Sequence, residues 1–210
     1  MPNDVEAPPS EYRIGSLLRA IPNLDFLDPN RRFIHAGGEP MSSLIEIRQA
    51  VPADTEIVSR ILVEVAQWQE QAGAPLWLDG ELGPEKIGAE ISSGLFFVAE
   101  YANDPAGTVK FQLEDQLFWP DAPNPDAAYV HRLAVRRRYA GKGISMALLA
   151  WAVDQTQRLG RRFLRLDCDA DRPKLRAIYE SFGFQHHSYR HVGSYFVARY
   201  ELDVHACGVQ

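Results

Sequence analysis

Only two cysteines, Cys168 and Cys207, occur in 210 residues. Neither a disulfide framework nor a cysteine-based metal site can be built from them. His186, His187 and His191 lie close in sequence, but no cysteine or paired carboxylate stands beside them at ligand spacing, so no metal is expected. No apolar run reaches the ~18 residues that a spanning helix requires, so no membrane partner is expected. Positive charge is in short supply: 22 Lys and Arg against 28 Asp and Glu give a formal net charge of −6. Proteins that follow a nucleic-acid backbone normally present a basic face. No nucleic-acid partner is therefore expected, and Arg136-Arg137-Arg138 and Arg161-Arg162 are local clusters better suited to a small polyanion. The first ten residues lack the charged-then-apolar order of a secretory leader, which leaves a cytoplasmic location as the default expectation.

What is present is an ordinary globular composition, 46% hydrophobic and 24% charged. Residues 1–43 differ in texture from the rest. They hold Pro8-Pro9, Asp28-Pro29-Asn30 and Gly37-Gly38-Glu39-Pro40, and read as an irregular N-terminal extension with one short helix at 13–20. Met41 is an alternative start site, which would make the extension dispensable. From residue 44 to 210 the pattern is that of one domain. Strands are expected at 44–48, 95–101, 107–113, 127–135, 163–168, 185–191 and 194–202. Helices are expected after Pro52-Ala53-Asp54, where Ile57, Val58, Ile61, Leu62, Val65 and Trp68 recur at helical spacing, and at 82–91, 144–159 and 173–182. Trp68 is read as helix core, and a hairpin turn is placed at 103–107. The order β-α-α-β-β-β-α-β-α-β-β has too few helices for a doubly wound sheet. It implies an α+β fold with a mixed, mostly antiparallel sheet flanked by helices.

One junction carries chemistry. The strand at 127–135 runs into Arg138-Tyr139-Ala140-Gly141-Lys142-Gly143, which opens the long helix. A glycine-bearing loop turns several backbone N–H groups toward one point, and the helix N-terminus adds partial positive charge there. Such a site binds phosphate oxygens.

Three segments together resemble the GCN5-related N-acetyltransferase (GNAT) superfamily over about residues 44–202. They are Leu133-Ala134-Val135 ending the strand, Arg138-x-x-Gly141-x-Gly143 as the pyrophosphate loop, and Tyr179-Glu180-Ser181-Phe182-Gly183-Phe184 about forty residues later. The resemblance implies acetyl-CoA as co-substrate. It places the diphosphate on main-chain groups of Arg138, Tyr139, Ala140, Gly141, Lys142, Gly143, Ile144 and Ser145. It lays the pantetheine arm along a bulged strand at Leu133, Ala134 and Val135, where a backbone N–H polarises the thioester carbonyl. It makes Tyr179 the acid that protonates the departing thiolate; a phenol near 10 and a thiol near 8.5 allow that transfer. Many members carry an asparagine where this chain has Arg172, and Arg172 is read as a cofactor-phosphate contact in its place.

An attacking alkyl ammonium, with a pKa near 10.4 in water, must lose its proton. His131 is the candidate base, because it stands two residues before Leu133, where family members often have glutamate, and its ordinary pKa suits neutral pH. Glu114 and Asp167 are the alternatives. Trp77 in Pro75-Leu76-Trp77-Leu78-Asp79, and Trp119 beside Phe118, occupy the two regions that shape acceptor pockets in the family. With Asp79, Glu81, Asp115 and Asp121 nearby they would suit a cationic amine. Cys168 reads as core, so direct attack with amine and donor bound together is expected. The implied activity is acetyl transfer to a primary amine of a small molecule. The alternatives are a non-catalytic acyl-CoA-binding module and a protein- or peptide-directed N-acetyltransferase. A homodimer through the two C-terminal strands is among the assemblies the resemblance allows.

Overall fold

The computed structural model describes residues 44–73, 77, 80–122 and 124–206. The expected extension at 1–43, its short helix, Asp79 and Cys207 lie outside the described residues. Within them the expected order is observed: β1 Ile45–Gln49, α1 Thr55–Gln71, α2 Pro84–Ser92, β2 Phe96–Tyr101, β3 Asp104–Gln112, β4 Ala127–Val135, α3 Ile144–Arg158, β5 Phe163–Asp169, α4 Pro173–Phe182, β6 Gln185–Val192 and β7 Tyr195–Asp203. No helix among the described residues is long and apolar enough to cross a membrane.

The strands form one sheet in the order β1-β2-β3-β4-β5-β7-β6. Every pairing is antiparallel except β4 with β5. Alternation along β2 divides the core between two faces. Phe97 and Ala99 join Val130, Leu164 and Leu166 under the α3 residues Leu148, Leu149 and Trp151. Phe96 and Val98 turn the other way, toward Val58, Ile61, Leu62 and Val65 of α1 and Ile87 and Ile91 of α2. Those four α1 positions follow the i, i+3, i+4, i+7 rule, so burying one stripe fixes the helix on the sheet.

The β2–β3 turn is tighter than the proline and glycine suggest. Ala102 and Asn103 alone form it, with φ of 50° and 65°. Two successive positive φ values are what a two-residue hairpin turn demands. Asp104 and Pro105 therefore already belong to β3, and Pro105 is accommodated beside a bulge in β3, where Ala106 is the extra residue opposite Ala99 and Glu100.

Candidate active site

The site begins with a defect in the sheet. Thr108 pairs with Ala134 and Lys110 with His131, so Val109 faces two residues, Arg132 and Leu133. This is a bulge in β4, and Arg132 takes a φ of 50°. A non-glycine residue pays roughly 1–2 kcal/mol for that conformation. An ionic clamp offsets it: Arg132 Nη1 lies 3.3 Å from Glu90 Oε2, and Lys110 Nζ donates to Glu90 Oε1 at 2.8 Å. Glu90, on α2, is buried. Glu90→Ala strands two half-buried cations and should lower unfolding stability by about 3 kcal/mol, read from urea denaturation.

Just before the bulge, β4 leaves its other neighbour, β5. Its pairing with β5 runs from Ala127↔Phe163 to Val130↔Leu166 and stops. From His131 on β4 and Asp167 on β5 the strands continue without pairing, and a gap opens between them.

The glycine-bearing loop follows directly on the C-terminal end of β4. Gly141 and Gly143 have φ of 77° and 76°. A Cβ built at either would meet nothing within 4 Å, so backbone conformation, not crowding, requires glycine, and the main chain is open to an approaching anion. The first hydrogen bond of α3 runs from the Ala147 N–H to the Gly143 carbonyl at 2.9 Å. The N–H groups of Ile144, Ser145 and Met146 precede it, the position from which helix N-termini hold anions. The side chains of Arg138 and Tyr139 both reach Asp104, and Ile144 is core. Within the loop the N–H groups of Tyr139, Ala140 and Lys142 donate to the carbonyls of Arg136, Arg137 and Tyr139, so the donors offered to a phosphate are chiefly those of the first turn of α3.

The segment before the loop is gripped by α1. Arg136 Nε donates to Glu64 at 2.8 Å, and the Arg137 N–H donates to the same carboxylate at 3.2 Å. Trp68 is not core: it is 37% exposed, and the Arg137 guanidinium lies 4.2 Å from its ring centre. Arg172 donates to Asp169 Oδ2 at 3.0 Å and to Gln69 Oε1 at 3.1 Å. Its guanidinium thus ties the β5–α4 corner to α1.

Inside the gap His131 stands between two carboxylates. Its Nε2 is 3.1 Å from Asp115 Oδ2 and its Nδ1 is 3.3 Å from Asp167 Oδ1. Each ring nitrogen lies within ion-pair distance of its own carboxylate, although His131 Nε2, Asp115 Oδ2 and Asp167 Oδ1 are buried without an aligned hydrogen bond; the three side chains are also close enough together to hold a metal ion. Burial works to lower the His131 pKa, but Asp115 and Asp167 outweigh it and raise it from 6.5 to about 9. The expectation of an ordinary pKa is thereby corrected. Burial likewise works to raise Asp115, yet His131 and the N–H groups of Phe118 and Leu117 hold its carboxyl below the usual range. The Phe118 ring lies 5.8 Å from the His131 ring and 6.4 Å from that of Tyr195. Tyr179 is buried on α4 against Phe184 and Tyr200. Burial, then Cys168 and Asp167, push its phenol well above its ordinary value. Burial also raises the Cys168 thiol to about 12, so little thiolate exists at neutral pH.

Of the two expected pocket tryptophans, Trp77 is half-buried against the α1–α2 core. Trp119 does not wall an open pocket. It is 0% exposed, packed on Tyr129 with the guanidinium groups of Arg165 and Arg199 at 4.5 and 4.8 Å from its ring centre. Its neighbour Phe118 is the aromatic that faces His131. Sequence reasoning missed Glu90, Arg199 and Tyr195, and took Asp115 only as a general acidic neighbour. The alternation along β4 was a usable signal for a histidine facing the gap, but nothing local marked its partners.

The family profile described as acetyltransferase (GNAT) family matches residues 62–184. The chain is 31% identical over 142 residues to the uncharacterized N-acetyltransferase YesJ of Bacillus subtilis (strain 168), covering 65% of this chain and 79% of that protein. A GNAT-family acetyltransferase from Listeria monocytogenes superposes with a TM-score of 0.64 at 24% identity, over 76% of this chain and 96% of that one. The PaiA N-acetyltransferase from Thermoplasma acidophilum, solved in complex with coenzyme A, superposes with a TM-score of 0.59 at 20% identity, over 74% of this chain and 97% of that one.

Proposed function

Because this chain belongs to the acetyltransferase (GNAT) family, and is thereby an acyltransferase, we propose that it transfers the acetyl group of acetyl-CoA to a primary amine of a small molecule, with both substrates bound and direct attack. One observation carries the reading. The Asp115–His131–Asp167 array stands where β4 and β5 part, and β4 leads on into a glycine-bearing loop whose conformation suits an anion.

Acetyl-CoA supplies an activated acyl carbonyl and a thiolate leaving group. The chain's own residues do the rest. The loop from Arg138 to Ser145 binds the diphosphate, and Leu133, Ala134 and Val135 line the arm. With His131 protonated, the two carboxylates leave the array one negative charge, which draws an alkyl ammonium. Only the fraction of His131 that has already lost its own proton to solvent, a fraction that grows as pH approaches about 9, accepts the proton that the amine must lose. An imidazole raised to about 9 lies within roughly 1.5 units of the ammonium, so that transfer is only slightly uphill. Trp77 and Phe118 shape the acceptor side. Tyr179 returns a proton to the thiolate. Cys168, with its thiol raised to about 12, is no nucleophile, which supports direct attack over an acyl-enzyme.

A thiol-release assay over small amines, amino acids and peptides, with acetyl-CoA affinity measured by calorimetry, tests the reading. Turnover is expected with a small amine; turnover with peptides alone would replace the acceptor class, and tight acetyl-CoA binding with no turnover would make the chain a binding module. Tyr179→Phe should lower kcat roughly 10- to 100-fold with acetyl-CoA affinity unchanged. Unchanged kcat removes the phenol from the proton path.

A further inference from the structure

The Arg199 side chain, on β7, lies outside the machinery described so far, yet it is 3% exposed and every nitrogen of its fork is engaged. Nε donates to Ser188 Oγ at 2.9 Å, Nη1 to the Phe118 carbonyl at 3.1 Å, and Nη1 and Nη2 to the Asp121 carboxylate at 2.6 and 3.1 Å. The plane also lies against Trp119. Phe118 is thus held from both ends of its backbone: its carbonyl by Arg199, its N–H by Asp115 Oδ1 at 2.9 Å. The other oxygen of that same Asp115 carboxylate faces His131.

We propose that Arg199 is a positioning residue for the acceptor side: by fixing the Phe118 peptide it sets Asp115 and the Phe118 ring against His131. The inference rests on the acetyl-transfer reading for its functional consequence, not for its geometry. A guanidinium is required because three acceptors in three directions are met by one rigid plane, which a lysine ammonium on a flexible stem cannot reproduce. The effect reaches His131 through Asp115. The other charged groups around His131 are Asp167 on β5, which pairs across the sheet with Arg199 itself, Lys110 on β3, its register partner, and Glu90 on α2, which holds Lys110. None of these depends on the Phe118 peptide.

Arg199→Lys keeps the charge and removes the fork. Asp121→Asn weakens the fork from a side chain that is half exposed and leaves the buried arginine in place. His131 is titrated directly by NMR in wild type and both variants, and the Michaelis constants for amine and acetyl-CoA are measured beside it. In Arg199→Lys the His131 midpoint should fall by at least one pH unit, a tenfold loss in proton affinity. The amine KM should rise about tenfold and the acetyl-CoA KM should hold; Asp121→Asn should move the same way by less. A folded Arg199→Lys with the wild-type midpoint overturns the inference. If that chain does not fold, a wild-type midpoint in Asp121→Asn overturns it. Wild-type protein that releases no thiol sinks the acetyl-transfer reading alone, and the NMR midpoint still decides whether Arg199 places Asp115.

Discussion

His131→Gln should lower kcat/KM for the amine by about 10²–10⁴, the range over which a positioned proton acceptor contributes, while acetyl-CoA affinity stays near wild type. Glutamine matches the reach of imidazole but cannot take the proton. It also leaves Asp115 and Asp167 facing each other without a cation, so stability should fall by about 3 kcal/mol, and the variant is assayed only where circular dichroism shows it folded. Wild-type protein supplies a second check through pH. His131 is raised from 6.5 to about 9 in the folded chain, so its base form accumulates only as pH approaches 9, and kcat/KM should climb across that interval. Stability should run the other way. A group whose folded pKa lies above its unfolded one favours the native state fully below the unfolded value, here about 6.5, and that contribution is lost as pH rises through about 9. Rising activity with falling stability between those limits is the signature of a cation held by two carboxylates. A kcat/KM profile that is flat above pH 6.5 removes His131 as the base.

The order of elements was legible because each long segment carries one clear period. The stripe Val58, Ile61, Leu62, Val65 is helical without ambiguity, and the anion loop announces itself by two glycines between a strand and a helix. The details that failed are those where one element is set by another. Trp68 has helical core spacing, but Arg137, from a loop 69 positions later in the chain, covers its ring and leaves it half in solvent. Trp119 and Phe118 are neighbours in sequence, and only the guanidinium groups of Arg165 and Arg199, on β5 and β7, decide which ring is buried and which faces His131. The hairpin was misplaced because Pro105 and Gly107 are strong turn signals, whereas the turn is made by Ala102 and Asn103 taking left-handed conformations. The array at the centre of the proposed mechanism draws on a loop, β4 and β5. No spacing in the sequence joins those three positions; the split between β4 and β5 does.

Gly141→Val should weaken acetyl-CoA binding by about 10²–10⁴ in Kd with the fold retained. At a φ of 77° a β-branched residue is strained, and the loop relaxes by turning its N–H groups away from their common point. Losing two hydrogen bonds to a charged diphosphate costs about 1.5–3 kcal/mol each, which corresponds to that range. Asparagine tolerates the left-handed region, so Gly141→Asn should fall between wild type and valine. Gly160, just past α3, provides the control. Its φ is 68° and a Cβ there also meets nothing within 4 Å, so Gly160→Val carries comparable backbone strain in a different turn, the one that joins α3 to β5. If the two valine variants lose stability alike and only Gly141→Val loses affinity, the loss belongs to the anion site. Equal affinity in both would place the diphosphate somewhere other than this loop, and with it the donor would leave the β4–β5 gap.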